Sequence, residues 1–415
     1  MVERDHLDLA SALEVRGVSR RRFLKYCAAM AAALAMPPAF AHTIARGLQA
    51  SPRVPLIWLE AQDCAGNSEA LLRAEKPTVA EVILDTLSLD HHHLLMAASG
   101  KRTEKAIEAV REQFPAGYVV VVEGSIPLAD GGVYCMVGGR TFAEMARDVC
   151  NGALAVIAVG SCAWDGGLPA ASGGLTGAVG VAGWLGDSGV KVINLPGCPL
   201  NPGNLTALIV QYLSTGRWPD TDPFGRPLFA YGDTVHQQCE SLPHYRAREF
   251  VREWGDEGHR KGWCLYQMGC KGPSTNANCS TLKFNGGTSW PVGAGHPCVG
   301  CTTPRFWDTM APFARVGGPL DLPAPTPVDY RTPVPGTPRP GGTAKPGDPT
   351  GTPGAAEPGE GAENTPLYVG IGAAVAAGAA GLGGFAALRA RNRANPGADQ
   401  PHEPPAAGPD EGDSQ

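Results

Sequence analysis

A doubly wound parallel α/β sheet is the fold predicted for residues 53–216, on three observations. Four short apolar runs, at 54–59, 118–122, 153–159 and 190–195, read as strands buried on both faces. Stretches with helical character, at 78–98, 101–114, 141–150 and 205–213, alternate with them, which is the βαβ pattern. Each strand also runs into a short loop of reactive residues, and ligands of open parallel sheets sit beyond the carboxyl ends of strands.

Those loops place three cysteines at equivalent topological positions. The first strand leads to Glu60-Ala61-Gln62-Asp63-Cys64-Ala65-Gly66-Asn67, the second to Glu123-Gly124-Ser125-Ile126-Pro127. The third leads to Gly160-Ser161-Cys162 and the fourth to Pro196-Gly197-Cys198-Pro199. Any one of these cysteines could be a small buried hydrophobe. Together, Cys64, Cys162 and Cys198 point to one shared metal group.

From residue 217 periodic structure gives way to loops, Gly, Pro and ligand residues. His236, Cys239, Cys264, Cys270, Cys279, Cys298 and Cys301 fall within 66 positions, and so many thiolates with an imidazole are iron–sulfur ligand chemistry. A domain of this composition, residues 217–316, would be held by its metal groups more than by an apolar core. Zinc is the weaker reading, because only one Cys-x-x-Cys pair occurs, Cys298 to Cys301. Twelve cysteines in 415 residues are too sparse for a small disulfide scaffold, and a net charge of -6 gives no footprint for nucleic acid.

Both ends carry membrane signals. Ser19-Arg20-Arg21-Arg22-Phe23-Leu24-Lys25 matches a twin-arginine export signal, followed by an apolar stretch and the small-x-small site Ala39-Phe40-Ala41. Residues 1–41 are therefore expected to be a signal peptide, which leaves Cys27 no role in the mature chain. Residues 317–366 hold 13 prolines and read as a disordered linker spanning roughly 40 Å on average. Residues 367–388 lack charge and are long enough to cross a bilayer. Arg389, Arg391 and Arg393 then put the tail, 389–415, in the cytoplasm and the globular part on the periplasmic or extracytoplasmic side.

At these motifs the chain resembles the small subunit of membrane-bound, twin-arginine-exported nickel–iron hydrogenases of the uptake type. The resemblance covers about residues 53–316, the leader and the anchor. It rests on Trp58-Leu59-Glu60-Ala61-Gln62-Asp63-Cys64, the Glu123 and Cys198 loops, the run from Lys261 to Pro273, and Gly295-His296-Pro297-Cys298-Val299-Gly300-Cys301. It implies a flavodoxin-like sheet, two 4Fe-4S clusters and one 3Fe-4S cluster. The proximal 4Fe-4S cluster would take Cys64, Cys162 and Cys198, and the distal one His236, Cys239, Cys264 and Cys270. The medial 3Fe-4S cluster would take Cys279, Cys298 and Cys301, with Pro291 at the missing-ligand position. The family's second proximal cysteine is replaced here by Asn67, which leaves three outcomes open: Asn67 oxygen or a water completes the site, Glu123 or Cys135 swings in, or one iron is labile. Oxygen-tolerant members carry two further cysteines, at positions held here by Gly66 and Gly167.

The implied role is electron transfer. Electrons from H2, oxidised in a large subunit that holds the nickel–iron centre, would leave through a membrane cytochrome b to quinone. Whether two heterodimers pair is left open by the sequence. This chain has no catalytic residue of its own in that reading. The alternatives are an iron–sulfur subunit of a respiratory-complex-type quinone oxidoreductase, which would lack the region from Cys239 to Cys301, and a secreted zinc or disulfide protein. His91-His92-His93 reads as a solvated or partner-facing helix. Cys150 reads as packed, and Arg147 and Asp148 as helix-surface charge.

Overall fold

The computed structural model describes residues 20–50, 53–74 and 87–310. Its centre is a five-stranded parallel sheet. The strands are β1 (Val54–Glu60), β2 (Leu87–His92), β3 (Val119–Glu123), β4 (Ala155–Val159) and β5 (Val192–Leu195), in the order β2-β1-β3-β4-β5. That 2-1-3-4-5 order is the flavodoxin-like winding, with its switch point between β1 and β3. Leu56 to Glu60 pair in register with Val119 to Glu123, and those with Ala155 to Val159. The inner strands are buried on both faces because their β-branched runs face apolar layers on either side.

One layer contains α4 (Lys101–Gln113) and α5 (Phe142–Asn151), which cover Ile57, Leu59, Val120 and Val122. The start of α5 is fixed by a capping box between Thr141 and Glu144. Cys150 is fully buried in this layer, as a packed residue should be. The other layer contains α7 (Pro202–Thr215), capped by Asn201 and ended at Gly216, whose φ of 67 is left-handed. Between the layers' loops lie α3 (Gly66–Leu72) and α6 (Gly160–Asp165), each following the carboxyl end of a strand.

Two expectations are corrected here. Residues 87–92, expected to be helical, form the edge strand β2. Leu87 and Leu89 alternate with polar residues at a period of two, and the strand pairs in parallel with β1. His91 and His92, expected at a solvated helix surface, are each 1% exposed. His92 stacks on Trp58 at 5.0 Å, and burial holds its pKa down at about 4, so it packs as a neutral ring.

Residues 20–50 form two helices, α1 (Arg20–Ala33) and α2 (Phe40–Ala50), packed against each other and against α7. Phe23, Cys27, Met30 and Leu34 recur at helical spacing and are buried there with Ile44 and Leu48. Cys27 is thus a core side chain of this hairpin. Cleavage after Ala41 would remove α1 and leave most of α2 in place. Among the described residues no helix is long and apolar enough to cross a membrane. The predicted linker, anchor and tail lie outside the described residues.

From residue 217 to 310 the chain runs through turns and helices of at most five residues. Long-range hydrogen bonds tie it to the sheet. Ser161 donates to the Cys301 carbonyl at 2.6 Å and accepts from Gly197 N–H at 3.2 Å.

Candidate metal centres

The loops of Cys64, Cys162 and Cys198 all lie at the carboxyl edge of the sheet, and the charges of Cys198 and Cys64 bear on Cys162, although among the described residues no three His, Cys, Asp or Glu side chains stand close enough to hold a single metal ion. Cys162 is pushed up to about 12 by burial, then by the neighbouring Cys198 and Cys64 once charged. Thiols that repel one another as thiolates are the arrangement a cationic iron group relieves. Cys64 and Cys198 are exposed on this chain alone. Gly167 leaves no space for a larger residue, and Gly66 leaves little. A Cβ at Gly167 would lie 2.7 Å from Cys162 Sγ, and one at Gly66 3.1 Å from Cys64 Sγ.

Asn67 is buried behind this trio (7% exposed). Its side chain is joined to Glu123, which is fully buried and accepts hydrogen bonds through both oxygens. Oε1 takes Asn67 N–H at 2.8 Å and Asn67 Nδ2 at 3.1 Å. Oε2 takes Ser68 N–H at 3.0 Å, Ser68 Oγ at 2.6 Å and Trp58 Nε1 at 3.2 Å. Cys135 does not join the trio. It packs with the α5 layer, and its thiol is raised by burial and by Asp63.

Two carboxyls flank this corner. Burial, opposed by the Ser68 hydrogen bond and aided by Asp63 and Glu123, pushes Glu60 up to about 7. Asp63 is pushed up to about 6 by burial, with Glu123 adding to it. A carboxyl raised from 4.5 to about 7 on folding contributes stability fully present below pH 4.5, which is lost as pH rises through about 7. Glu60→Gln is therefore expected to flatten the fall of Tm across that window. Thermal scans at matched ionic strength from acid to neutral pH check this, and parallel curves for the two proteins would refute it.

The remaining ligands form two further groups. His236, Cys239, Cys264 and Cys270 line one small cavity with Leu265, Tyr266 and Pro273. Burial, and then Arg246, keep His236 below its usual value, so its imidazole stays neutral and able to ligate. Its ring meets Tyr245 edge-on at 4.5 Å. Cys279, Cys298 and Cys301 form the other group. Burial raises all three, Cys301 adds to Cys279, and Cys270, Cys301 and Cys279 add to Cys298. Pro291 opens an exposed turn and accepts His296 N–H.

The three groups adjoin in series. The charge of Cys301 bears on Cys198, whose loop Ser161 ties to the Cys301 carbonyl, and Cys298 N–H donates to Cys270 Sγ at 3.4 Å. Two cations missed in the sequence lie along this line. Lys271 is 4% exposed, with its pKa lowered by burial and raised in part by Cys270 and Cys298. Arg226 is 5% exposed, donates to Asp222 and to the Thr302 carbonyl at 2.7 Å each, and lies 5.4 Å above Trp164. Lys271 lies inside the 261–273 run and Arg226 ten residues before His236, yet only the folded contacts show what their charges face.

Thiolates with one imidazole, arranged in three adjacent groups at the edge of a flavodoxin-like sheet, define an iron–sulfur electron-transfer subunit. Residues 231–314 match the C-terminal family of the NiFe/NiFeSe hydrogenase small subunit, and residues 64–212 match the family of the 20 Kd subunit of NADH ubiquinone oxidoreductase. The periplasmic [NiFe] hydrogenase small subunit 1 of Nitratidesulfovibrio vulgaris is 49% identical over 299 residues, 72% of this chain and 93% of that one. The quinone-reactive Ni/Fe-hydrogenase small chain of Wolinella succinogenes is 44% identical over 303 residues, 72% of this chain and 85% of that one. Among solved structures, the Ni-Fe-Se hydrogenase of Desulfomicrobium baculatum aligns with a TM-score of 0.59 at 35% identity, over 63% of this chain and 98% of that one. The actinobacterial-type NiFe-hydrogenase of Ralstonia eutropha H16 aligns at 0.58 and 28% identity, over 65% and 84%.

This chain belongs to the nickel–iron hydrogenase small-subunit family. It is the iron–sulfur, electron-transferring part of a hydrogenase whose active site lies in a nickel–iron large subunit.

Proposed function

We propose that this subunit passes electrons from H2 oxidation through two 4Fe-4S clusters and one 3Fe-4S cluster to a cytochrome b and quinone in the membrane. The observation that carries the reading is the series of three candidate ligand groups, linked by Ser161 between the Cys198 loop and the Cys301 carbonyl and by Cys298 N–H to Cys270 Sγ. When bound, such clusters accept and release single electrons. The donor sets fit them: Cys64, Cys162 and Cys198 for the proximal group, Cys279, Cys298 and Cys301 for the medial group, and His236, Cys239, Cys264 and Cys270 for the distal group. The Pro291 side chain carries no donor atom, in keeping with a medial cluster short of one iron.

The chain's own residues do the rest. Ser161 holds the proximal Gly197-Cys198 loop to the medial Cys301. Lys271 and Arg226 place fixed positive charge where reduction would add negative charge. The exposed Cys64 and Cys198 lie at the strand ends whose loops also expose Leu94, Leu95, Val133, Met136, Leu168 and Leu175. That apolar rim suits cover by the large subunit, at the end where electrons would enter.

Export through the twin-arginine signal and anchoring through residues 367–388 complete the proposal, with the globular part, residues 53–316, on the extracytoplasmic side. The test is purification from membranes, with iron, labile sulfide and nickel measured on each chain. A co-purifying nickel-containing chain and iron near that of three clusters are expected. Iron-free folded material, or material recovered wholly from the cytosol, would contradict the electron-transfer and the export parts respectively.

A further inference from the structure

The loop Pro196-Gly197-Cys198, between β5 and α7, is held from two directions. Ser161, at the start of α6, takes both backbone groups of Gly197. Its N–H donates to the Gly197 carbonyl at 2.8 Å, and its Oγ accepts Gly197 N–H at 3.2 Å. The same Oγ reaches out of the sheet domain to the Cys301 carbonyl at 2.6 Å. Gly197 has a φ of 153, and a Cβ there would stand 2.6 Å from the Pro199 carbonyl oxygen. No side chain at 197 can therefore stiffen the loop, and its set comes from outside.

The second tie runs the other way. Tyr231 ends a short helix, Leu228–Tyr231, in the part of the chain that carries the medial and distal groups, and it is 2% exposed. Its hydroxyl donates to the Pro196 carbonyl at 2.8 Å, two residues before Cys198. Burial, then the charge of Cys279, push its pKa well above the usual value; Arg226 opposes this and Cys301 adds to it. The hydroxyl thus keeps its one proton, spends it on the proximal loop, and stands within electrostatic reach of two medial thiols. The Arg226 guanidinium, 5.6 Å above the ring, holds the ring in place.

Resting on the iron–sulfur reading above, we propose that Tyr231 is a positioning residue for electron transfer between the proximal and medial groups. Its hydroxyl fixes the Cys198 loop against Cys279 and Cys301, and so fixes the separation that an electron crosses. Tunnelling weakens steeply with that separation, so a slack loop slows the step even when every ligand is in place.

The test uses the anaerobically purified heterodimer, with iron and labile sulfide measured first. Iron-free folded protein would end the cluster reading, and this assignment with it. In iron-loaded protein, Tyr231→Phe removes the hydroxyl and keeps the ring. Three clusters should remain, while the magnetic splitting between the proximal and medial clusters weakens in EPR and the flash-initiated electron step between them slows. Ile107→Ala, which opens the layer on the other face of the sheet, should lower Tm and leave the splitting unchanged. A Tyr231→Phe protein with unaltered splitting and electron step, whatever its Tm, overturns the proposal. So does a splitting that Ile107→Ala disturbs equally, or a Tyr231→Phe chain that cannot fold, since either makes the hydroxyl a matter of stability alone.

Discussion

Cys298→Ala is expected to remove the medial group and to break the relay at its centre. Its thiol is partly buried and raised by burial, with Cys270, Cys301 and Cys279 all bearing on it. Alanine leaves Cys279 and Cys301 as two thiolates that cannot hold a cluster between them. Iron should fall by one cluster per heterodimer. Loss of a mere outer-sphere partner costs roughly 10–100-fold in metal affinity or activity, and H2-driven reduction of a membrane acceptor should fall by more than that. Hydrogen–deuterium exchange, which the nickel–iron partner can perform without exporting electrons, should persist. Retention of full acceptor reduction with one cluster missing would show that electrons bypass this position.

The second large effect belongs to Arg226→Ala. The guanidinium is nearly enclosed, paired with Asp222, bonded to the Thr302 carbonyl and stacked over the rings of Trp164, Phe224 and Tyr231. Removing it leaves a largely buried carboxylate unpaired, a change that typically costs about 3–5 kcal/mol. In a protein of this size that lowers Tm by on the order of 10 °C. Arg226→Lys should recover little, since an ammonium cannot reach Asp222 and the Thr302 carbonyl with the same planar fork. Thermal melts followed by the visible absorbance of the bound iron measure both. A Tm change of only a degree or two for alanine would show that the pair is dispensable.

The sheet was legible because its inner strands are runs of Val, Ile and Leu that need cover on both faces, and such runs have few other uses. The helices at 142–151 and 202–215 carry caps, and that at 101–113 an apolar stripe through Ile107 and Val110, that appear in the chain itself. The edge strand was not, since Asp90 and three histidines hide its alternation. What buries His91 and His92 is their place beside Trp58 on β1, a contact 33 or 34 residues away. At the candidate centres, residue types and spacing singled out the thiols to which a cluster role is proposed. Their order in space was not written there. It depends on crossings such as Lys271 N–H to the Cys298 carbonyl, and Ser161 to the Cys301 carbonyl 140 positions away. Asn67 stood out as an anomaly, but only the bond to Leu200 shows where its oxygen is engaged.

The Cys298 N–H···Sγ contact to Cys270 has a thermodynamic corollary. A sulfur that gains electron density holds a donated proton more tightly, so a cluster held by Cys270 would, on reduction, tighten its link to the loop that carries Cys298. Were clusters to occupy these groups as proposed, their midpoint potentials would depend on one another's charge, and a titration of all three would depart from the sum of independent one-electron curves.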